Sequence, residues 1–183
     1  MKLMKSSPLL TISFLLTGLF MNISVKAQKD EKDNKIVADA NIAKADFIKA
    51  DALMQNLFDN SYGYVIFPNV GKGAIGIGGA AGNGAVFQKG TLIGMADMKQ
   101  VSVGFQWGGQ AYREVIFFET EADLNRFKEN KIEFSGQASA VAATKGAAAN
   151  VKYKNGVMIF SQVKGGLMYE ASVGGQKFKF RNL

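Results

Sequence analysis

Between Ile36 and Asp59 the apolar residues recur at alternating intervals of three and four, which is the period of an α-helix. Two interpretations of this apolar stripe are open: it packs on the rest of its domain, or it lies in a membrane interface. Acidic as well as basic residues on the polar face favour packing. The stripe comprises Ile36, Ala40, Ala43, Phe47, Ala50, Met54 and Leu57.

After Asp59 the pattern becomes that of β-strands. Tyr64–Phe67 is a short apolar run that ends at Pro68-Asn69, and residues 101–107 alternate between apolar and small or polar side chains. Ala111–Phe118 is a longer apolar run. Further strands are predicted at 91–98, 151–154, 157–163, 167–173 and 176–180, with turns at Gly108-Gly109, Asn155-Gly156, Gly165-Gly166 and Gly174-Gly175.

A short helix is predicted at Glu121–Lys131, because Thr120 is a favourable N-cap and Asp123 lies in the first turn. Residues 134–149 are rich in alanine, and their pattern does not decide between helix and extended structure. The predicted fold is therefore α+β and mainly antiparallel β: a strongly curved or barrel-like sheet, with the 36–59 helix packed on it and a short helix near 121–131.

Seven of the fourteen residues from Gly71 to Gly84 are glycine. Gly71, Gly73 and Gly76 fit the G-x-G-x-x-G spacing of a dinucleotide site, but such a motif must open a helix, and four further glycines follow. The alternative is a glycine-rich hairpin with a turn at Asn83-Gly84, in which strand glycines allow bends or close packing. The missing helix favours the hairpin.

The N-terminus resembles a secretory signal. Lys2 and Lys5 precede a thirteen-residue apolar core, Leu9–Met21, which is shorter than the roughly 20 residues that span a bilayer. Val25-Lys26-Ala27 supplies small residues for cleavage after Ala27. We expect residues 1–27 to be the signal peptide, 28–35 a solvated linker and 36–183 the domain of an exported protein of the periplasm or envelope.

The charge of the chain excludes some classes of function. The net charge is +7, and removal of Lys2, Lys5 and Lys26 leaves 19 basic and 15 acidic residues, a net charge of +4. This value suits an anionic surface better than nucleic acid. The chain has no histidine and no cysteine, so disulfides, Ser-His or Cys-His catalysis and imidazole or thiolate metal sites are excluded. No cofactor is predicted.

Four segments together resemble the SYLF (Ysc84-like) domain family of lipid-binding proteins. They are YGYVIFPNVGKGAIGIGGAAGNG (62–84), VSVGFQWGGQAYREVIFF (101–118), QASAVAATKGAAA (137–149) and NGVMIFSQVKGGLMYEASVGGQKF (155–178). They occur in the family's order over about residues 40–181. The resemblance implies binding of phosphoinositides or other anionic lipids, contact with the actin machinery in some eukaryotic members, and an envelope-associated lipid binder in bacterial ones.

The alternation of side chains along a strand assigns the basic residues near the C-terminus to particular strand faces. Lys152 and Lys154 share one face of their predicted strand, and Lys177, Lys179 and Arg181 share one face of theirs. Each set is either an ordinary solvated face or a cationic patch for lipid phosphates. Lys72, between Gly71 and Gly73, matches the lysine of the family's FPxxxKxG-type motif, where backbone N–H groups would help to hold an anion; its alternative is a solvated turn lysine.

Aromatic and acidic residues offer two further interpretations. Phe105, Trp107, Phe117 and Tyr169 either line an acyl pocket or belong to the core. Glu114 and Glu170 lie in apolar strands, where burial raises a carboxyl pKa, and a facing pair would suit glycoside cleavage, whereas salt bridges to Arg113 or a lysine explain them equally well. Three classes remain: a non-enzymatic lipid-binding module of the envelope, a structural or protein-interaction module, and a carboxylate hydrolase.

Overall fold

The computed structural model describes residues 9–72, 79–101, 111–132, 139–164, 170–172 and 175–183; for residues 9–27, 72, 101, 139 and 170–172 it describes the backbone alone. The chain divides into two units, one that ends at Lys35 and one that spans Ile36–Leu183. The first unit is helical from Leu9 onward. The sheet and the candidate sites belong to the second unit.

The helices of the described residues are α1 (Leu9–Ala50), α2 (Met54–Asn60), α3 (Glu121–Lys128) and a 3₁₀ turn at Ala147–Asn150. The helix predicted from Ile36 is confirmed, but it does not begin there, because residues 28–35 are also helical. It is interrupted at Asp51–Leu53, where the buried Asp51 carboxylate accepts hydrogen bonds from the backbone of Leu53 (3.1 Å) and Ala148 (2.8 Å).

Eight described strands form one sheet in the order β7-β5-β6-β4-β1-β2-β3-β8. Strands β5 and β6 run parallel and the other neighbouring pairs run antiparallel. The sheet is strongly curled but not closed, so the predicted α+β fold is confirmed in its curved form. The strands are β1 (Gly63–Lys72), β2 (Gly79–Gln88), β3 (Thr91–Val101), β4 (Tyr112–Phe118), β5 (Ser139–Ala142), β6 (Val157–Val163), β7 (Glu170–Ser172) and β8 (Gln176–Asn182).

Both faces of this sheet are buried at its centre. One face, here called the inner face, carries Val65, Phe67, Ile116 and Phe118, and Leu124 and Phe127 of α3 pack against it. The outer face carries Tyr64, Ile66, Val115, Phe117 and Phe160, which contact Ala40, Ala43 and Phe47 of α1 together with Met54 and Phe58 of α2. The apolar stripe of the 36–59 segment therefore packs on the sheet.

The turn predicted at Asn83-Gly84 is wrong, because β2 runs through both residues without interruption and pairs with β1 and β3. Gly84 is required for close packing instead: a Cβ there would lie 2.7 Å from the carbonyl oxygen of Ile66 and 2.7 Å from Cδ1 of Phe67. Gly71 is different, since nothing lies within 4 Å of its would-be Cβ.

The strand predicted at Val151–Lys154 is also wrong. This segment makes a single β-bridge, between Lys154 and Val157, around the predicted Asn155-Gly156 turn. Its path is fixed by a side chain instead, since the Tyr153 hydroxyl lies 2.8 Å from Ser61 Oγ. The alanine-rich 134–149 segment contains β5 and the start of the 3₁₀ turn within its described part.

Helix α3 begins as predicted, with Thr120 as the N-cap. Thr120 Oγ1 accepts the Asp123 N–H (3.3 Å), and Asp123 Oδ2 accepts the Thr120 N–H (3.1 Å), so the two residues form a capping box. Burial alone would raise the Asp123 pKa, but hydrogen bonds from Thr120 and Arg126 lower it below its usual value.

Several predicted features lie outside the described residues. These are Gly73, most of the strand predicted at 101–107 with Phe105 and Trp107, the turns at Gly108-Gly109 and Gly165-Gly166, and Tyr169.

Gly156→Ala is expected to destabilise the protein by about 2–4 kcal/mol, since its φ of +78° strains any other residue and its Cβ would meet the Asp123 carboxylate at 2.0 Å, disturbing the α3 cap. Urea unfolding measures the change. Gly90→Ala is the matched control, because Gly90 has a φ of +79° but open space around it. Equal losses in the two variants would contradict a role for the Asp123 contact.

Asp51→Asn is expected to destabilise the protein by about 1–3 kcal/mol at neutral pH. Burial opposes ionisation of Asp51, but backbone hydrogen bonds from Ala148, Leu53 and Gly146 outweigh it and lower the pKa of this carboxyl. A lowered pKa stabilises the fold above the unfolded-state pKa, and this stabilisation disappears as the pH falls through the folded-state value.

Chemical denaturation from neutral to acidic pH therefore should show the two proteins converging as Asp51 becomes protonated. Asp59→Asn, at an exposed carboxylate, is the control. A wild-type advantage that persists unchanged at the acidic end would exclude the ionised carboxylate as its source.

Candidate functional site

Basic side chains lie together on the outer face of β3 and β8. Lys177 and Lys179 are exposed and Arg181 is half-buried, while the alternate residue Phe178 is buried on the inner face. The predicted alternation along this strand is therefore present. Lys177 pairs directly with Lys99 of β3.

Lys99 is a member of this group that the sequence pattern did not identify. The strand containing it was expected to end at Met98, whereas β3 continues to Val101. Asp97 pairs with Lys179 and is the acidic residue on the same part of the face. We call Lys99, Lys177, Lys179 and Arg181 the basic surface.

The pairing of Lys99 with Lys177 is electrostatically unfavourable, since like charges directly opposite each other in an antiparallel pair destabilise it. Gln at either position would have preserved the strand without this repulsion. The basic surface therefore brings positive charges of two strands together at one end of the sheet.

Lys72 and Gly71 lie at the end of β1, in register with the same end of β3 and β8. The pairing runs from Gly71 to Ala81, from Ala81 to Lys99, and from Lys99 to Lys177. Three strand spacings of about 4.8 Å place the backbones of Gly71 and Lys177 roughly 14 Å apart along the sheet. Lys72 belongs to the next row, with its backbone opposite Ala80 of the inner face, so the register does not place Lys72 on the outer face with the basic surface.

Lys152 and Lys154 are exposed, but they lie at the opposite end of the sheet. Lys154 bridges Val157, which belongs to the row of Phe118 and Gly63 at the start of β1. Along β1 this row is eight residues from Gly71, roughly 25 Å at 3.3 Å per residue. The structure therefore does not bring these two lysines to the basic surface.

A second group of polar residues lies on the inner face. Gln176 Nε2 donates to Glu114 Oε2 (3.0 Å), and Tyr112 OH donates to Gln100 Oε1 (3.3 Å). Glu114 is fully buried, and burial raises its pKa from 4.5 to about 7, with the Gln176 hydrogen bond opposing the shift. Tyr112, Glu114, Ser161, Gln100 and Gln176 form what we call the inner polar cluster.

The structure changes the interpretation of the two acidic residues. Arg113 pairs with Asp46 of α1, so the suggested salt bridge between Arg113 and Glu114 is wrong. Glu170 lies on β7, and β5 and β6 separate that strand from the β4 strand of Glu114. Glu170 pairs with Val141, a residue of the outer face, whereas Glu114 lies on the inner face, so the register does not place the two acids on one face as a glycosidase pair requires.

Of the four aromatic residues considered as an acyl pocket, Phe117 is the one that the structure describes. Its ring is fully buried on the outer face, with ring centroids 4.9 Å from Phe58 and 6.1 Å from Phe160. It therefore belongs to the core.

Within the described part of the chain, no group of three or more acidic residues is placed to hold a metal ion. No helix among these residues combines the length and apolar character needed to cross a membrane.

The comparisons with known proteins agree with the sequence motifs. Residues 99–182 match the family model described as "Ysc84: Las17-binding protein actin regulator". Beta cell expansion factor A from Aeromonas veronii is 30% identical over 124 residues, which are 67% of this chain and 47% of that protein. The chain thus spans about half the length of this curated relative. The matched region contains β4, α3, β6 and β8, and the resemblance of the chain to the Ysc84 (SYLF) family is confirmed over these residues.

Proposed function

We propose that this chain is a non-enzymatic binding protein that associates with anionic phospholipid surfaces through the basic surface of β3 and β8. The observation that carries the proposal is the direct pairing of Lys99 with Lys177. The two like charges repel each other, and phosphate groups placed over the pair would relieve that repulsion. The match to the Ysc84 family model supports a binding domain.

The geometry of two neighbouring strands suits a membrane surface better than a single small anion. Side chains on one face of a strand recur about every 6.8 Å, so Lys177, Lys179 and Arg181 form a row rather than a pocket. Each such charge near an anionic bilayer contributes about 1 kcal/mol. Binding free energy therefore comes from contacts of the row with several lipid head groups at once.

Location in the bacterial envelope is part of this proposal. Residues 1–27 carry the basic, apolar and small-residue regions of a secretory signal, and the chain that would remain after cleavage keeps a net charge of +4. An exported, mildly basic domain would meet anionic lipid at the membrane surface.

A second candidate is a protein-interaction module. It is favoured by the description of the matching family, which names a Las17-binding protein and actin regulator. An acidic partner protein would use the same positive charges. Membrane binding is distinguished from it by vesicles alone, in the absence of any partner protein.

The carboxylate hydrolase receives less support. Glu114 is fully buried on the inner face, and Glu170 pairs with Val141 of the outer face. Neither feature suits a pair of acids that share a substrate and a water molecule.

The double variant Lys99→Gln/Lys177→Gln is expected to bind vesicles containing phosphatidylglycerol about thirtyfold more weakly at low salt, because two charges worth about 1 kcal/mol each are lost. Its circular dichroism spectrum should stay unchanged, because both side chains are exposed. Co-sedimentation and circular dichroism measure the two effects.

Lys49→Gln/Lys145→Gln is the matched control, because both lysines are exposed, lie outside the basic surface and remove the same total charge. Equal weakening by the two double variants would show that binding follows net charge rather than the basic surface. Unaltered binding by Lys99→Gln/Lys177→Gln would remove this surface from the proposal.

Lys72→Glu is expected to weaken binding to the same vesicles while the circular dichroism spectrum stays unchanged, because Lys72 ends β1 at the end of the sheet that carries Lys99 and Lys177. Lys152→Gln/Lys154→Gln, at the opposite end, measures whether those lysines also take part. Wild-type binding by Lys72→Glu at low salt would exclude Lys72 from the site.

A further inference from the structure

The hydrogen bond between Gln176 and Glu114 crosses the interior of the curled sheet. Glu114 lies on β4 and Gln176 is the first residue of β8, and β1, β2 and β3 separate these two strands in the sheet order. Their side chains nevertheless meet at 3.0 Å. This contact joins the central part of the sheet to its terminal strand.

The carboxyl group of Glu114 is incompletely satisfied in this position. Oε2 accepts from Gln176, but Oε1 is buried without a hydrogen-bond partner among the described residues. Ser161 pairs with Glu114 across β4 and β6, and its Oγ is likewise buried without such a partner. A buried carboxylate with one unsatisfied oxygen is costly, whereas a protonated carboxyl is far less so.

No described cationic side chain compensates Glu114. Phe67 of β1 and Ser161 of β6 pair with it and are uncharged. The titratable neighbour on its own strand is Tyr112, whose pKa is raised by burial and by the Glu114 carboxylate. Among the described side chains, the charged groups of the surrounding elements face elsewhere: Arg113 and Asp46 pair on the outer face, Lys99 and Lys177 are exposed there, and Asp123 and Arg126 of α3 bind each other. Lys72 of β1, described by its backbone alone, shares the row of Gln100 and Gln176 through Ala80.

Side-chain contacts hold the middle of β8. Phe178 packs against Phe67 (ring centroids 5.9 Å apart) and against Phe127 of α3 (5.2 Å), and Asn130 Oδ1 accepts the Phe180 N–H (2.9 Å). At the first residue of the strand, Gln176 Nε2 donates to Glu114 Oε2 (3.0 Å) and lies 3.5 Å from Gln100 Oε1.

We propose that the Glu114–Gln176 contact is a proton-dependent latch, which holds the start of β8 in the curled sheet while Glu114 is protonated and releases it when Glu114 ionises. The Gln176 hydrogen bond favours the ionised form, but burial outweighs it, because one donor does not replace the hydration of a carboxylate. Displacement of Gln176 would admit water to the ionised Glu114. Lys177 is the next residue, so the latch would also control the position of the basic surface. This last consequence rests on the proposed lipid-binding function; the latch itself does not.

The direction of the pH effect follows from the sign of the shift. Burial raises the Glu114 pKa to about 7 in the folded protein, from 4.5 when exposed. A raised carboxyl pKa means that stability is greatest below the exposed value and decreases as the pH rises towards the folded value. The closed latch is therefore favoured by acid and weakened between pH 4.5 and about 7.

Hydrogen exchange of wild-type protein, corrected for the intrinsic pH dependence of exchange, tests the latch directly. The opening equilibrium at residues 176–178 should increase by up to about tenfold per pH unit between about pH 5 and pH 7, because opening then releases one proton. Residues 157–160 of β6 should not follow. An opening equilibrium at 176–178 that is independent of pH would overturn the proposal, and so would equal changes in both strands.

Glu114→Gln removes the ionisable group while keeping the size of the side chain. This variant should abolish the pH dependence at residues 176–178, and its protection at pH 7 should equal or exceed that of the wild type. Glu129→Gln, at an exposed carboxylate that pairs with Lys131, is the control and should keep the wild-type response. A wild-type pH response in Glu114→Gln would overturn the latch. If this variant fails to fold, the wild-type measurement still decides.

Vesicle binding separates the latch from the proposed function. If both hold, wild-type binding to phosphatidylglycerol vesicles should weaken as the pH rises from 5 towards 7, and Glu114→Gln should lose that component. Exchange that responds to pH without any vesicle binding would support the latch and contradict the lipid-binding proposal. Vesicle binding together with an opening equilibrium at residues 176–178 that is independent of pH would support the lipid-binding proposal and contradict the latch.

Discussion

The burial of both faces of the central strands is the constraint on which the structure depends. Strands β1 and β4 place alternate residues against α3 on one side and against α1 and α2 on the other. Neither layer is sufficient alone, because a curled sheet with an uncovered apolar face would be exposed to water. This arrangement leaves the ends of the strands and the β3–β8 margin as the places where polar and charged groups gather.

Double burial also explains which parts of the fold could be predicted from the sequence. Val65–Phe67 and Val115–Phe118 are continuous apolar runs because both of their faces are covered, and such runs predict buried strands. Thr120 and Asp123 predicted the start of α3 from local chemistry. The turn prediction at Asn83-Gly84 was wrong for a physical reason. The dipeptide favours a turn, but Gly84 is needed where Phe67 and the Ile66 carbonyl approach β2. Local propensity gave way to a contact between strands.

The candidate site was predictable to a similar extent. Alternation along residues 176–181 identified Lys177, Lys179 and Arg181, because a period of two is a local property. Lys99 could not be identified in this way, since its pairing with Lys177 joins residues that are far apart in the chain. The hydrogen-bond partner of Glu114 could not be identified from the sequence either, because Gln176 contacts it across the interior of the curled sheet and not through pairing of neighbouring strands. Lys152 and Lys154 showed the same exposure pattern as the other lysines, and their place at the other end of the sheet depends on the fold.

The hydrogen bond from Phe180 N–H to Asn130 has a consequence for self-association. An edge strand exposes unpaired backbone N–H and C=O groups, with which a strand of another chain can pair. Such pairing is a common route to fibrils. The Asn130 side chain occupies one of those donors within β8, so an incoming strand would meet an interruption there. The same strand carries alternate lysines, which repel an identical strand placed alongside. An edge strand protected in this way can remain exposed to solvent at a high local concentration of the protein without starting aggregation.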